Sequence, residues 1–236
     1  TNPCGVAIAA TLATAYENAF NADNVSAFGG IVALNQPIDK ATATALTKTF
    51  LECIVAPGCD PEATAILAKK SNLRVLILED LHSGPTHLPR AIAGGLLVQA
   101  ADDVPDDPAT WQVVTERKPD TAQLEELLFA WRVVKYVKSN AIVVTRDRTT
   151  LGIGAGQMNR VGSVNIALDQ AGDGSQGGIL ASDGFFPFDD SVRTAAAAGI
   201  TAIVQPGGSK RDADSIQAAN ELGIVMAFTG VRHFLH

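Results

Sequence analysis

The chain carries one supersecondary step twice. "IVAPGCDPEATAILAKKSNLRVLIL" begins at Ile54 and "IVQPGGSKRDADSIQAANELGIVMAF" at Ile203; from Pro57 to Leu73, and again from Pro206 to Leu222, the same sixteen-residue step joins a Pro-Gly turn, a polar helix start, a helix and a second hydrophobic strand. Upstream, "DKATATALTKTFLE" is matched by "DDSVRTAAAAGITA", an acidic helix start feeding each Pro-Gly strand. Alternating helices and strands bury their apolar sides by stacking in layers, so the repeat predicts an α/β fold with mixed or parallel strands. Chance likeness between two helix–strand units is the competing explanation.

Other segments fit that plan. Leu12, Tyr16 and Phe20 form one helical stripe, "SAFGGIVAL" reads as a buried strand, and "DPEATAILAKKSNL" as a helix capped by Asp60 with Pro61 in its first turn. The acidic, proline-containing "ADDVPDDPATW" reads as an exposed connection. After it, Asp120 and Gln123 predict a capping box, and Leu124, Leu127, Leu128, Trp131 and Val134 give a wide apolar helix face expected to pack between the two units. "NAIVVTRDRTTLGIGAG" has the pattern of a hairpin turning at "RDR". The expected boundaries are residues 1–105 for the first unit, 106–137 for a helical connection and 138–236 for the second.

Composition excludes several functions. With 236 residues, 47% of them apolar, the chain can bury a sizeable core, yet no apolar run approaches the roughly 20 residues of a bilayer span. The expectation is a cytoplasmic protein without a membrane partner. A net charge of −7 disfavours nucleic acid. Cys4, Cys53 and Cys59 contain no C-x-x-C pair, which argues against a disulfide framework and against zinc. "NPCGVA" is similar to the Pro-Cys segment of zinc-dependent deaminases, but Ala7 stands where their second cysteine would lie.

Four places invite chemistry. "GIGAG", residues 152–156, follows a hairpin strand instead of opening a parallel crossover; it reads either as a plain strand–helix turn or as delivery of a helix starting near Gln157, with Arg160 beside an anion. Asn140 precedes the apolar strand "AIVV", where a carboxamide can meet a carbonyl that becomes an oxyanion or can serve as a turn residue. Arg232 is either a phosphate grip or an exposed charge. In "ASDGFFPFDD", three of the chain's nine phenylalanines fall within four positions among aspartates, too charged for a core strand and too aromatic for an ordinary loop.

Taken in order, "NPCGVA", "SAFGGIVALN", "IVAPG", "KSNAIVV", "LGIGAGQMNRV", "SDGFFPFDD" and "RHFLH" give the chain an end-to-end resemblance to the aminoimidazole carboxamide ribonucleotide (AICAR) transformylase region of a bifunctional purine-biosynthesis family that also carries IMP cyclohydrolase. The resemblance implies duplicated cytidine-deaminase-like three-layer units without zinc, a homodimer, and formyl transfer from 10-formyltetrahydrofolate to AICAR. It places the nucleotide near Gly29, Glu52, Asn140, Arg160, Phe185 and Arg232, with Asn140 catalytic and Glu52 standing where the family has aspartate. Folate contacts fall to Phe28, Val161, Pro187, Phe188, Asp190, Ser209 and Lys210, and potassium to Asp183 and neighbouring carbonyls. Family members carry Lys-His immediately before the segment matching "TNPCG" and a cyclohydrolase domain further upstream. The sequence given starts after both, so an inactive nucleotide- or folate-binding dimerisation module is the alternative expectation.

Overall fold

In the computed structural model, which describes residues 2–236, the chain forms two compact units. One combines residues up to Ala27 with Asp106–His236; the other is Phe28–Pro105. Residues preceding Phe28 thus cluster with the later chain.

The chain enters through α1 (Leu12–Ala22), capped by Thr11, whose hydroxyl oxygen accepts from Thr14 N at 3.2 Å. Its stripe is inward as expected: Tyr16 is buried, with its ring 5.9 Å from that of Phe20.

The smaller unit runs β1 (Gly30–Ala33), α2 (Lys40–Leu46), β2 (Leu51–Ala56), α3 (Pro61–Leu67) and β3 (Arg74–Ile77), with three parallel strands in the order β1-β2-β3. Asp39 starts α2 by accepting from Thr42 N at 2.7 Å. The helix expected over "DKATATALTKTFLE" stops at Leu46, because Leu51 and Glu52 belong to β2, where Leu51 pairs with Gly30 and the register shifts across Glu52. Asp60 makes no side-chain cap bond to α3; Pro61, with its preset φ, supplies the start. A hairpin of β4 (His87–Ile92) and β5 (Gly95–Ala100) forms its own two-stranded sheet. Burial here is concentrated in Ala43, Leu46, Leu51, Ile54, Ala56, Ala63 and Leu67. Contrary to expectation, β1 is not a buried strand: its burial alternates and Ile31 is 73% exposed. The apolar side chains of β3, β4 and β5 are exposed as well.

The larger unit adds β6 (Gln112–Val113), α4 (Thr121–Val134), β7 (Ile142–Arg146), β8 (Thr149–Gly154), α5 (Arg160–Ala171), β9 (Ile179–Ser182), α6 (Asp190–Ala197), β10 (Ala202–Gln205), α7 (Asp212–Glu221) and β11 (Val225–Phe228). They build a six-stranded sheet, β6-β11-β10-β9-β7-β8, in which β9, β10 and β11 are parallel and the other pairings antiparallel. The strands alternate sides with period two. Ile142, Val144, Leu180, Ile203 and Met226 pack with Val164, Val192 and Ala218 of α5, α6 and α7. Val143, Ala181, Val204 and Val225 pack with Leu127, Ala130, Trp131 and Val134 of α4. Within this unit α4 thus covers one face of the sheet and α5, α6 and α7 the other. Asp120 accepts from Gln123 N at 2.8 Å, but the Gln123 amide turns to Thr201 Oγ at 3.3 Å instead of completing the capping box.

Two stretches, β1-α2-β2-α3-β3 and β9-α6-β10-α7-β11, share one pattern: three parallel strands adjacent in chain order with a helix at each crossover. In the larger unit, β9 is flanked on its other side by β7; among the described residues β1 has no such neighbour.

Candidate functional site

Parallel strands all end at one edge of their sheet, and that edge gathers loops from distant parts of the chain. In the larger unit β9, β10 and β11 end there. Because β7 is antiparallel to β9, with Ile142 opposite Ser182, β7 begins there, and β8 ends there with Gly154 opposite Ile142. The edge therefore carries Asn140, Arg160, Val161, Asp183, Phe185, Pro187, Phe188, Asp190, Ser209, Lys210 and Arg232.

The hairpin that delivers two of these loops turns at Asp147 and Arg148, with φ of 54° and 52°, the left-handed pair of a type I′ turn. Its glycines serve close packing: a Cβ on Gly152 would lie 1.9 Å from Ala167 O, and one on Gly154 1.9 Å from Ser163 O. No L side chain fits between β8 and α5 at those points. The helix starts at Arg160, three residues later than the sequence implied, and Asn159 takes the Gly162 N–H at 2.8 Å.

Arg160 is buried and turned into the protein. Its Nη1 donates to the Asp183 carboxylate and to Ser182 Oγ at 2.9 Å, and its Nη2 donates to Asn140 Oδ1 at 2.9 Å. Asn140 Nδ2 donates to Gln157 O at 2.7 Å, and Asn140 O accepts from Ser163 Oγ at 2.8 Å. A guanidinium only donates and a main-chain carbonyl only accepts, so the carboxamide has one possible orientation. Ser139 Oγ donates to the second oxygen of Asp183.

This arrangement does not fit a potassium ion at Asp183. Both carboxylate oxygens already take donors, the residue is fully buried, and the Arg160 guanidinium neutralises it. A second unit positive charge about 4 Å from that guanidinium would be opposed by about 4 kcal/mol at an effective dielectric of 20. Among the described residues no group of three or more His, Cys, Asp or Glu is placed to hold a metal. Cys4 is free, and its thiol is pushed up by burial and then by the Asp23 charge, away from the thiolate a metal would bind.

"FFPFDD" divides its labour. Phe186 is core, its N–H donating to Gln205 Oε1 at 3.2 Å. Phe185 lies under the Arg232 guanidinium at 5.6 Å from the ring centre. Phe188 is 50% exposed, with Arg211 over its ring at 5.1 Å. Asp189 pairs with Arg193 Nε at 2.7 Å, and the hydrogen bond from Arg193 holds its carboxyl below the usual carboxylate range. Asp190 is exposed at the start of α6 and accepts from Ser191 N. In the next loop Asp212 accepts from Gly208 N at 2.7 Å and Ser209 N at 3.1 Å, shaping the Ser209–Lys210 segment.

Phe28, Gly29 and Glu52 belong to the smaller unit. Gly29 N donates to Phe50 O at 2.9 Å, the Phe28 and Phe50 rings are 5.5 Å apart, and Glu52 pairs with Arg74 at 2.9 Å. Sequence reasoning missed Ser139, Ser163, Arg211 and Asp212. Asp212 alone had a signal, as an acid at a helix start; the others acquire roles only through contacts across the fold.

A cleft of about 460 Å³ at the opposite sheet edge is lined by Asp120, Glu126, Arg146, Arg148 and Thr201 among others. Two of its charged side chains bind main-chain groups: Glu126 Oε2 accepts from the Arg148 main-chain N–H at 2.7 Å, and Arg146 donates to Gly174 O and Gln176 O. The site assignment therefore stays with the loop-rich edge.

The family described as AICARFT/IMPCHase bienzyme matches residues 1–170. Proteins called bifunctional purine biosynthesis protein PurH are similar throughout the chain: 73% identical over 236 residues in Synechocystis sp., 72% over 236 in Gloeothece citriformis and 75% over 235 in Acaryochloris marina. Each comparison covers all of this chain but only 45–46% of the relative, so the chain spans about half the length of the curated relatives it matches.

Proposed function

Because the chain belongs to the AICARFT/IMPCHase bienzyme family, we propose that it is the formyl-transfer part of a longer cytoplasmic purine-biosynthesis protein, moving a formyl group from 10-formyltetrahydrofolate to the amine of AICAR. The observation that carries this reading is the locked Asn140 carboxamide at an edge crowded with aromatic and cationic loops. Gln157 O takes one Nδ2 hydrogen, and we assign the other to the formyl oxygen.

In the proposed step the AICAR amine attacks the formyl carbon, and the carbonyl electrons move to oxygen, where Asn140 donates to the growing charge. The attacking nitrogen loses a proton, and the tetrahedral centre collapses by breaking its bond to N10 of the folate, which takes a proton. The resemblance assigns the base to the Lys-His pair preceding residue 1 in the longer protein. Arg160 orients Asn140, and Arg232, over Phe185, meets anionic nucleotide groups, with Gly29 and Glu52 as further nucleotide contacts. Phe28, Val161, Pro187, Phe188, Asp190, Ser209 and Lys210 receive the folate. Exposed Phe188 offers a flat apolar face, and the Asp190 carboxylate an acceptor for pterin N–H groups.

The two β-α-β-α-β stretches are proposed as copies of one cytidine-deaminase-like unit. Exposed apolar residues of the smaller unit, Leu76, Ile77, Leu88, Ile92, Leu96 and Val98, support pairing of two copies of the chain.

Formyl transfer by the full-length polypeptide tests the reading. Asn140→Ala is expected to lower kcat about 10²–10³-fold, a larger factor than its effect on AICAR affinity by calorimetry, because the removed donor acts on the charge that develops during transfer. A wild-type protein that binds both ligands without transfer would favour the inactive-module alternative; unchanged kcat in the variant would remove Asn140 from the chemistry.

A further inference from the structure

Residues 232–236 contain no helix or strand, yet they are tied to the site edge. His233 N donates to Asp183 O at 3.1 Å, and the His233 ring lies 4.5 Å from that of Trp131, tilted by 45°. Three further bonds come from the two residues immediately before Asn140. Ser139 N donates to Leu235 O at 2.8 Å, Leu235 N donates back to Ser139 Oγ at 3.1 Å, and Lys138 Nζ donates to the His236 main-chain oxygen at 2.6 Å. The same Ser139 hydroxyl reaches Asp183, which holds Arg160 and through it Asn140. One dipeptide thus joins the segment carrying Arg232 to the network that orients the carboxamide.

Drawing a main-chain oxygen of one segment to a separate loop is work a bound monovalent cation can do, and an ammonium carries the same unit charge, is close to potassium in size and donates to such an oxygen. Here the Lys138 ammonium meets the His236 oxygen, while the Asp183 carboxylate is held by Ser139 and Arg160. Lys138 is itself fixed, its N–H donating to Asn2 Oδ1 at 2.9 Å and its carbonyl accepting from Gly156 N at 2.9 Å. We propose that Lys138 is a built-in cation: a positioning residue that, with Ser139, straps residues 232–236 across the site so that Arg232 stands over Phe185 without any monovalent metal ion. Only the use made of Arg232 rests on the transferase reading; the strap is measurable without catalysis.

The test uses the full-length polypeptide and hydrogen exchange of a peptide spanning 229–236, in potassium, sodium or choline chloride at equal ionic strength. Wild-type protection should be the same in all three. Lys138→Ala should exchange at least about tenfold faster in choline and regain protection in ammonium chloride, while Lys138→Arg, which keeps charge and donors, stays within about threefold of wild type. Tryptophan fluorescence verifies folding, since Trp111 and Trp131 both lie in the larger unit. Wild-type protection that depends on potassium, a Lys138→Ala strap as slow as wild type, or one equally fast in every salt overturns the proposal. Where transfer is measurable, Lys138→Ala should raise KM for AICAR about tenfold with kcat within about threefold. Absence of transfer in wild type would count against the transferase reading and leave the exchange result to judge the strap.

Discussion

Replacing Arg160 by Met should destabilise the larger unit far more than an exposed substitution would. The side chain forms a buried ion pair with Asp183 and donates at 2.9 Å to both Ser182 Oγ and Asn140 Oδ1. Removing one member of a buried pair leaves an uncompensated charge, which costs about 3–5 kcal/mol. In a unit of this size that corresponds to a fall in Tm of roughly 6–20 °C. Urea unfolding followed by tryptophan fluorescence is the assay, because Trp131 is buried in the cluster beneath the site, with Trp111 6.3 Å away. Asp183→Asn alone should cost about as much, by stranding the guanidinium. The double variant should be more stable than the sum of the two losses predicts by at least about 1 kcal/mol, since neither charge then remains. A loss below about 1 kcal/mol for Arg160→Met, or strict additivity, would refute the view that Arg160 is spent on protein partners.

Gly154→Ala should cost about 1–3 kcal/mol by thermal unfolding, because its Cβ would meet Ser163 O at 1.9 Å; a neutral result would mean that β8 and α5 separate freely. Phe188→Ala should weaken folate binding about tenfold by calorimetry with Tm within about 2 °C, as the ring is half exposed; a large fall in Tm would reassign Phe188 to the core. Asp39→Ala should cost about 1 kcal/mol near pH 7 by loss of the α2 cap. Thr42, through its backbone N–H and then its side chain, lowers the Asp39 pKa. That contribution is complete above the unfolded value of about 3.9 and fades as pH falls through the lower native one. Thermal unfolding at pH 6 and pH 3 should therefore show the gap between variant and wild type closing at the lower pH.

Local patterns announced much of this fold. The Tyr16 stripe, the Asp120 cap, the "RDR" hairpin and the matched Pro-Gly strands depend on neighbours a few residues apart, and each is found where its pattern lies. The end of α2 and the exposure of β1 were not legible, since both depend on which strands pair and on what covers the sheet. Within the candidate site, Asn140, Phe188 and Arg232 stand out by residue type and position. The inward turn of Arg160 did not, because an arginine near a helix start reads as an anion grip until Asp183, 23 residues later, is placed beside it.

The two units differ in how the chain supplies them. Phe28–Pro105 is one uninterrupted stretch, whereas the other unit joins segments on either side of it. A ribosome delivers residues in order, so the smaller unit can fold while the larger one still lacks every strand of its sheet. The strap at residues 232–236 follows all of those strands. A nascent chain stalled before it would have its layers but no Arg232 over Phe185, so that cation takes its place over the ring only after every strand of the sheet has been made.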